Sequence, residues 1–390
     1  MRKFQILAMA DIFKNIESMM RSARQDRFFS FASVLSAMSK VYGGAVKLRE
    51  TLYKHEFLAS RGLPCAVVSV GNLTVGGTGK TPMTIYMAKL VRRLGLRAVV
   101  ISRGYKGGAE KTGGIVSDGR RIFMAPGTAG DEPLMMASEL EGVPVIVGRN
   151  RYASGMLAVN EFNPDVLVLD DAFQHLKLHR DIDLILLDGR DPFGNGHLLP
   201  RGVLREPLSA LLRGDALILT RSDFMVSDLP VKLGRIARER PVFESFHIPK
   251  RCRAITEKNA GAHVVGLPPS DDDFRLLKGN SVFVFSGIAG NSDFRKTVQD
   301  LGCHVSGFLD FPDHHPYSGM DFGTILRSAR NANAEFLVTT EKDYFRIADR
   351  SKLPKNLMVI GIEVSFGKDE TRFTEYIKDR LEALCGKKGS

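Results

Sequence analysis

The chain has 390 residues, 44% of them hydrophobic and 25% charged, which excludes a disordered or fibrous protein and leaves enough chain for about two or three domains with real cores. Lys plus Arg number 55 against 44 Asp plus Glu, a net charge of +11, so an acidic partner is expected: nucleotide, anionic lipid, phosphorylated substrate or nucleic acid. Cys65, Cys252, Cys303 and Cys385 lie far apart with no C-x-x-C pair, which argues against a zinc site or disulfide framework and for a reducing cytoplasm.

No run reaches the roughly 18 uninterrupted apolar residues of a membrane-spanning helix, and no clean signal-peptide core opens the chain. Residues 28–58 read as an amphipathic, basic helix in which Phe28, Phe29, Phe31, Val34, Leu35, Met38, Val41 and Leu48 alternate with Lys40, Lys47, Arg49 and Lys54. Such a helix can lie on an anionic membrane surface or pack on its own domain.

The apolar run Cys65 to Val70 leads into Ser69-Val70-Gly71-Asn72-Leu73-Thr74-Val75-Gly76-Gly77-Thr78-Gly79-Lys80-Thr81-Pro82, which a helical pattern follows. This is the setting of a phosphate-binding loop. Glycines let backbone N–H groups face phosphate oxygens, Lys80 reaches the β- and γ-phosphates, and the Thr81 hydroxyl holds Mg²⁺. Residues Thr74 to Thr81 are therefore the expected nucleotide cradle, with Thr74 standing where the pattern usually has its first glycine.

Apolar strand patterns then alternate with helical ones: RAVVISRG, VPVIVG, DVLVLDD, LILLD and ALILT. The expected fold is α/β, a P-loop NTPase-like, mostly parallel sheet covered by helices, with a second, smaller α/β lobe. Residues 1–60 form the N-terminal segment, 61–240 the P-loop domain, 241–264 a less regular connection and 265–390 the smaller lobe, closing on a loose tail from Gly386 to Ser390.

Gly130-Asp131-Glu132-Pro133 opens the helical run Leu134 to Leu140, where N-capping would account for Asp131 on pattern alone. Beside a phosphate, the same carboxylate could accept the proton of an attacking hydroxyl. Val166 to Asp171 is an apolar strand ending in two carboxylates, and one of Asp170 and Asp171 is expected to serve Mg²⁺ directly or through water. Gln174 and His175 follow at the same sheet edge.

Leu199 to Pro207 is poor in regular structure; Arg205 is suited to clamp phosphate oxygens and Glu206 to complete a metal shell, or the two form a surface ion pair. In Asp313-His314-His315-Pro316-Tyr317-Ser318, adjacent histidines on extended backbone point to opposite sides, so one is expected to face an active site and the other to be structural. Thr339-Thr340-Glu341-Lys342-Asp343 follows another strand and also reads as a capped helix start.

Three classes fit: a small-molecule or lipid kinase, a nucleotide-driven switch or assembly factor, and a nucleic-acid-binding protein. Thr220-Arg221-Ser222-Asp223 is only a degenerate version of the guanine-specificity element of a GTPase switch. The chain has no Trp and no basic stripe interleaved with aromatics, which ranks nucleic acid last.

Taken together, Ser69 to Pro82, Ser102-Arg103-Gly104-Tyr105-Lys106, Gly130 to Pro133, Asp170 to His175, Leu199 to Pro207, Asp313 to Tyr317 and Thr339 to Asp343 resemble the tetraacyldisaccharide 4'-kinase family over about residues 40–365. The resemblance implies transfer of the ATP γ-phosphate to the 4'-hydroxyl of tetraacyldisaccharide 1-phosphate, a step of lipid A biosynthesis, with Mg²⁺ as cofactor. It also implies peripheral residence at the cytoplasmic face of the bacterial inner membrane and an active site between two lobes. The acylated glucosamine disaccharide and an anionic membrane surface are the expected partners, without nucleic acid or an obligate protein partner.

Carried over, Asp131 becomes the base with His314 or His315 as its partner; Lys80 and Arg205 join the catalytic set. Arg103, Tyr105, Gln174 and His175 bind substrate, and Thr81, Asp170, Asp171 and Glu206 serve the metal. The sequence departs from the family at Ala172, usually glycine, and at Arg201 and Val203, usually alanine and proline, which puts loop geometry in question.

Overall fold

The computed structural model describes residues 31–224, 233–234, 238–254, 273–347, 353–354 and 356–388. Phe28, Phe29 and residues 255–264 of the expected connection lie outside the described residues.

In chain order the elements are α1 (Phe31–Lys54), β1 (Ala66–Asn72), α2 (Lys80–Arg93), β2 (Ala98–Ser102), β3 (Gly114–Ser117), α3 (Pro126–Ala129), α4 (Asp131–Glu139), β4 (Val145–Val147), α5 (Arg151–Phe162), β5 (Val166–Asp170), β6 (Ile182–Asp188), β7 (Ala216–Thr220) and β8 (Val242–Ala254). There follow α6 (Asp273–Leu277), β9 (Ser281–Ser286), α7 (Asn291–Asp300), β10 (His304–Asp310), α8 (Gly319–Asn331), β11 (Phe336–Thr340), α9 (Glu341–Ile347), β12 (Leu357–Ser365) and α10 (Glu370–Lys388).

The chain divides into two compact units, one with residues 31–62, 69–78 and 172–246, the other with 63–68, 79–171 and the described residues from 247 on. In the first, β6, β7 and the start of β8 pair in parallel, Leu184 opposite Ala216 and Leu217 opposite Val242. Every residue of β7 is buried, as expected of an unbroken apolar strand covered on both faces. Leu73, Phe173, Leu187, Leu204, Leu217 and Leu219 share its core, each large side chain worth about 2 kcal/mol when fully withdrawn from water.

The second unit contains the strand order β5-β2-β4-β3, parallel except where β3 runs against β4, and the parallel order β10-β9-β11-β12. Along β9, Phe283 and Phe285 join one core while Val282 and Val284 join another. Alternate side chains leave a strand on opposite faces, so this second set is covered on both sides. Within this unit α9 packs on α4 and α2 packs on β12. The α/β class with mostly parallel strands is as the sequence predicts.

Two local expectations change. The stretch from Val242, read as irregular, is a strand through Ala254; Phe243 and Ser245 are buried while Glu244 and Phe246 are only half-buried, a period of two that polar residues and Pro249 conceal. Gly386, Lys387 and Lys388, read as loose tail, end helix α10.

Candidate active site

The phosphate loop is laced to a sequence-distant stretch. In the first unit, Asn72 Nδ2 donates to Thr78 Oγ1 at 2.9 Å, and Gln174 Nε2 donates to the Asn72 carbonyl at 2.8 Å. Arg205 N donates to Leu73 O at 2.7 Å and Val75 N to Val203 O at 2.9 Å, with an antiparallel bridge between Thr74 and Leu204. Thr74 needs no glycine there, because its backbone is not left-handed, whereas Gly76 (φ 115°) and Gly79 (φ 84°) do adopt positive φ. Ala172 likewise lacks positive φ and is fully buried.

Helix α1 supports the Leu198 to Glu206 stretch with its polar face. Ser39 Oγ donates to Leu198 O at 2.5 Å, Tyr42 Oη to Arg205 O at 2.9 Å, and Arg49 Nη2 to Gln174 O at 2.7 Å. Arg205 Nη1 in turn donates to Gln174 Oε1 at 3.4 Å. Glu206 is 4% exposed and its carboxylate is engaged by Arg213, which also reaches Glu50 at 3.7 Å; burial pushes the Glu206 carboxyl up against the pull of Arg213. Arg221, considered in the sequence only as part of a base-specificity element, donates Nη2 to Gly77 O at 2.9 Å and Nη1 to Asp188 at 2.5 Å. It thus braces the phosphate loop itself.

In the second unit Gly79 caps α2, so Lys80 and Thr81 are its first residues. Lys80 Nζ lies 3.8 Å from Asp171 Oδ1, and Asp171 holds φ 47°, an uncommon conformation that aspartate tolerates better than most side chains. Asp170 is buried, accepting from Ser102 Oγ at 3.0 Å and Thr84 Oγ1 at 3.2 Å. Burial, then the negative charges of Glu132 and Asp171, push its carboxyl up to about 7. Two clustered carboxylates with a Lys-Thr helix start form an all-oxygen donor set of the kind Mg²⁺ accepts, and their mutual repulsion is relieved by a cation. No group of three or more metal-binding side chains exists among the described residues, a count Mg²⁺ does not require because it keeps several waters.

Asp131 is the first residue of α4 and caps nothing; Gly130 precedes it at φ 89°, ψ 158° with no side-chain cap. A Cβ at Gly130 would sit 3.1 Å from Tyr105 O, so the 102–106 loop packs directly on this turn. The capping reading is therefore replaced: the carboxylate is spent on tertiary partners. Asp131 Oδ2 lies 3.2 Å from His314 Nδ1, across 183 residues of sequence, and accepts from Arg346 Nε at 2.8 Å with Nη2 at 2.7 Å. Burial acts to raise the Asp131 carboxyl, but the His314 hydrogen bond and the charges of Arg346 and Lys342 outweigh it and hold it well below the usual carboxylate range.

Lys342 Nζ is 3.3 Å from His314 Nε2, 2.9 Å from Glu132 Oε1 and 3.5 Å from Asp313 Oδ1. An ammonium only donates, so Nε2 is the accepting nitrogen and Nδ1 carries the hydrogen directed at Asp131. Tyr105 meets the His314 ring edge-on, centroids 6.0 Å apart, while Arg103 is paired with Glu110 at 2.7 Å. His315 goes elsewhere, to Asp321 Oδ2 at 3.2 Å and flat against Phe311. The two histidines diverge as the sequence suggests, although His314 does so from a left-handed backbone, φ 59°, and not an extended one.

Sequence reasoning missed Arg346. Its only local signal is the i,i+4 spacing from Lys342, which puts both cations on one face of α9. The capped start of α9 is also present, Asp343 N donating to Thr340 Oγ1 at 3.1 Å. His175 sits in the turn after β5, its carbonyl accepting from Arg180 at 2.8 Å.

A strand, a glycine-bent loop and a helix opening on Lys-Thr in chain order, with a further strand, parallel to β2, that leads into an acid pair, define a P-loop nucleotide-binding protein of the α/β class. The comparisons with known proteins carry this further. The chain belongs to the tetraacyldisaccharide-1-P 4'-kinase family, LpxK, whose match spans residues 31–382. It is 40% identical over 375 residues to the tetraacyldisaccharide 4'-kinase of Desulfatibacillum aliphaticivorans, covering 96% of this chain and 99% of the relative. Against the enzyme of that name from Syntrophus aciditrophicus it is 42% identical over 351 residues, 87% of this chain and 91% of the other. A crystal structure of LpxK from Aquifex aeolicus in complex with ATP superposes with a TM-score of 0.71 at 34% identity, covering 91% of this chain and 99% of that one.

Proposed function

We propose that this chain transfers the γ-phosphate of ATP to the 4'-hydroxyl of tetraacyldisaccharide 1-phosphate, forming lipid IVA. Family membership supports the reaction, and the observation that carries the residue assignment is the Asp131–His314 pair at 3.2 Å. A sugar hydroxyl is a weak acid, so a positioned carboxylate accepts its proton as the sugar oxygen bonds to phosphorus and the bond to the ADP oxygen breaks. The three donors on Asp131 all reach Oδ2; no described residue donates to Oδ1, which leaves that oxygen as the proton acceptor.

Lys80 and Arg205 supply positive charge to phosphate oxygens as negative charge develops. Thr81, Asp170, Asp171 and Glu206 are the residues that would serve Mg²⁺ in this reading, an oxygen-only donor set as that ion prefers. The ion, when bound, neutralises phosphate charge and orients the transferring group. Arg103, Tyr105, Gln174 and His175 are the residues assigned to acceptor binding in this reading.

Residence is peripheral, at the cytoplasmic face of the inner membrane. Among the described residues no helix is long and apolar enough to cross a membrane. Phe31, Val34, Met38, Val41 and Leu48 of α1 are 53–76% exposed at helical spacing, an apolar stripe suited to enter an anionic lipid surface beside its own lysines.

The test is incubation of the purified chain with γ-labelled ATP, Mg²⁺ and tetraacyldisaccharide 1-phosphate in detergent, with GTP and acceptor-free reactions alongside. Label in the lipid, dependent on Lys80, is the expected result. Phosphate released only to water, or faster from GTP, would favour a nucleotide switch.

A further inference from the structure

The Arg346 side chain is 8% exposed, and four groups, Asp131, Gly287 O, Asp343 and His314, surround the guanidinium. On one side Nη1 donates to Gly287 O at 2.7 Å and to Asp343 Oδ1 at 3.2 Å. Asp343 is itself fully buried and fixed by Thr340 Oγ1 at 2.7 Å, Tyr317 Oη at 3.1 Å and the Gly287 N–H at 3.1 Å. On the other side Nε and Nη2 both meet Asp131 Oδ2. The guanidinium is thus clamped at one end and offers two rigid donors at the other, a geometry that fixes the position of Oδ2 as a flexible ammonium cannot.

We infer that Arg346 is a positioning residue for the proposed base, locking Oδ2 of Asp131 so that Oδ1 alone is turned toward the acceptor hydroxyl. The inference rests on the reading of Asp131 as the base. Two consequences follow from the contacts. First, Arg346 keeps Asp131 ionised, a role it shares with His314 from the loop before α8 and Lys342 from α9; Asp313 from that loop and Glu132 on α4 are carboxylates that act in the opposite sense, and Tyr105 meets the His314 ring edge-on. Second, Arg346 Nη2 stands 3.2 Å from His314 Nδ1. Both nitrogens there carry hydrogens, so the only acceptor they can share is Asp131 Oδ2, and histidine and arginine converge on the same oxygen.

The experiment compares the full chain with Arg346→Gln, Arg346→Lys, Asp131→Asn and the Asp131→Asn/Arg346→Gln double variant, measuring phosphate transfer to the lipid acceptor against pH at saturating Mg·ATP, with nucleotide affinity as the check on folding. Arg346→Gln is expected to lower kcat on the acceptor about 100-fold, to leave ATP affinity within about twofold, and to raise the acid limb of the pH profile by about one to three units. Arg346→Lys is expected to keep the limb near its wild-type position and to lose about tenfold in kcat, because one donor replaces two. In the double variant the Arg346 change should add little to the loss from Asp131→Asn, as for residues that act as a unit.

An Arg346→Gln protein that binds ATP and whose pH profile overlays the wild type overturns the inference, as does a double variant with multiplied losses. Should Arg346→Gln not fold, wild-type kcat in Arg346→Lys overturns the two-donor lock and a tenfold loss with an unmoved limb upholds it. Transfer surviving in Asp131→Asn alone would instead remove the base assignment, an outcome distinct from failure at Arg346.

Discussion

Arg346 donates Nε at 2.8 Å to Oδ2 of Asp131, a residue 215 positions earlier in the chain, and its Nη2 lies 2.7 Å from the same oxygen. The pair forms because α9 packs on α4, so the carboxylate proposed as base is held by the packing of two helices and not by a mobile loop. Side chains on packed helices lose little further freedom when a reaction begins, which is the physical advantage of mounting a base there.

Asp131→Asn should lower transfer to the lipid by about 10²- to 10⁴-fold, the usual worth of a positioned general base, with ATP affinity retained. The check is kcat on the acceptor beside nucleotide titration; equal loss in both would contradict the assignment.

The same variant has a pH signature in stability. Asp131 is held below its ordinary 3.8 in the folded chain, so it contributes stability that is present above that value and lost as pH falls toward the folded pKa. At pH 7, Asp131→Asn should destabilise by about 2 kcal/mol by removing one of the two carboxylates, Asp131 and Asp343, that Arg346 binds. Urea midpoints at pH 7, 5 and 3.5 should show a constant gap between the first two that narrows at the third; a gap that widens in acid would refute the sign.

His314→Ala and His315→Ala should separate cleanly. The first is expected to reduce turnover about 100-fold with a small change in melting temperature. The second removes a ring stacked on Phe311 and bonded to Asp321, so a loss of about 1–2 kcal/mol of stability with turnover near normal is expected. Calorimetry together with the transfer assay decides, and reversed phenotypes would exchange the two roles.

Lys80→Ala removes the ammonium 3.8 Å from Asp171 Oδ1, the cation proposed to meet the β- and γ-phosphates. ATP affinity should fall at least tenfold while ADP suffers less; equilibrium binding of both nucleotides would expose the opposite pattern.

Val41→Glu with Leu48→Glu on the outer stripe of α1 should weaken sedimentation with anionic vesicles while transfer in detergent stays within about twofold. Deleting the helix is a poorer test, because Ser39, Tyr42 and Arg49 hold the loop that carries Arg205. Unchanged vesicle binding by the double variant would end the membrane-face reading.

Much of the site is legible along the chain where its parts are neighbours. The stretch from Thr74 to Thr81 runs from strand β1 into helix α2 as read, and Asp170 closes an apolar strand that Asp171 follows. Asp131 misled the local reading, since a carboxylate at a helix start is first of all a cap, and nothing within four residues of it reveals Arg346. The strand from Val242 was hidden because its buried positions include Ser245 and Cys252, which break the apolar alternation that marks a strand.

The sequence by itself determined the α/β class, the nucleotide loop, the acid pair and the amphipathic stripe, because each depends on spacing of a few residues along one element. Only the tertiary structure decided that His314 and not His315 meets Asp131, that Arg346 locks the same oxygen, and that Glu206 is taken by Arg213. Those choices depend on which helix faces pack together over separations such as 183 residues, and local periodicity carries no information about a partner that far along the chain.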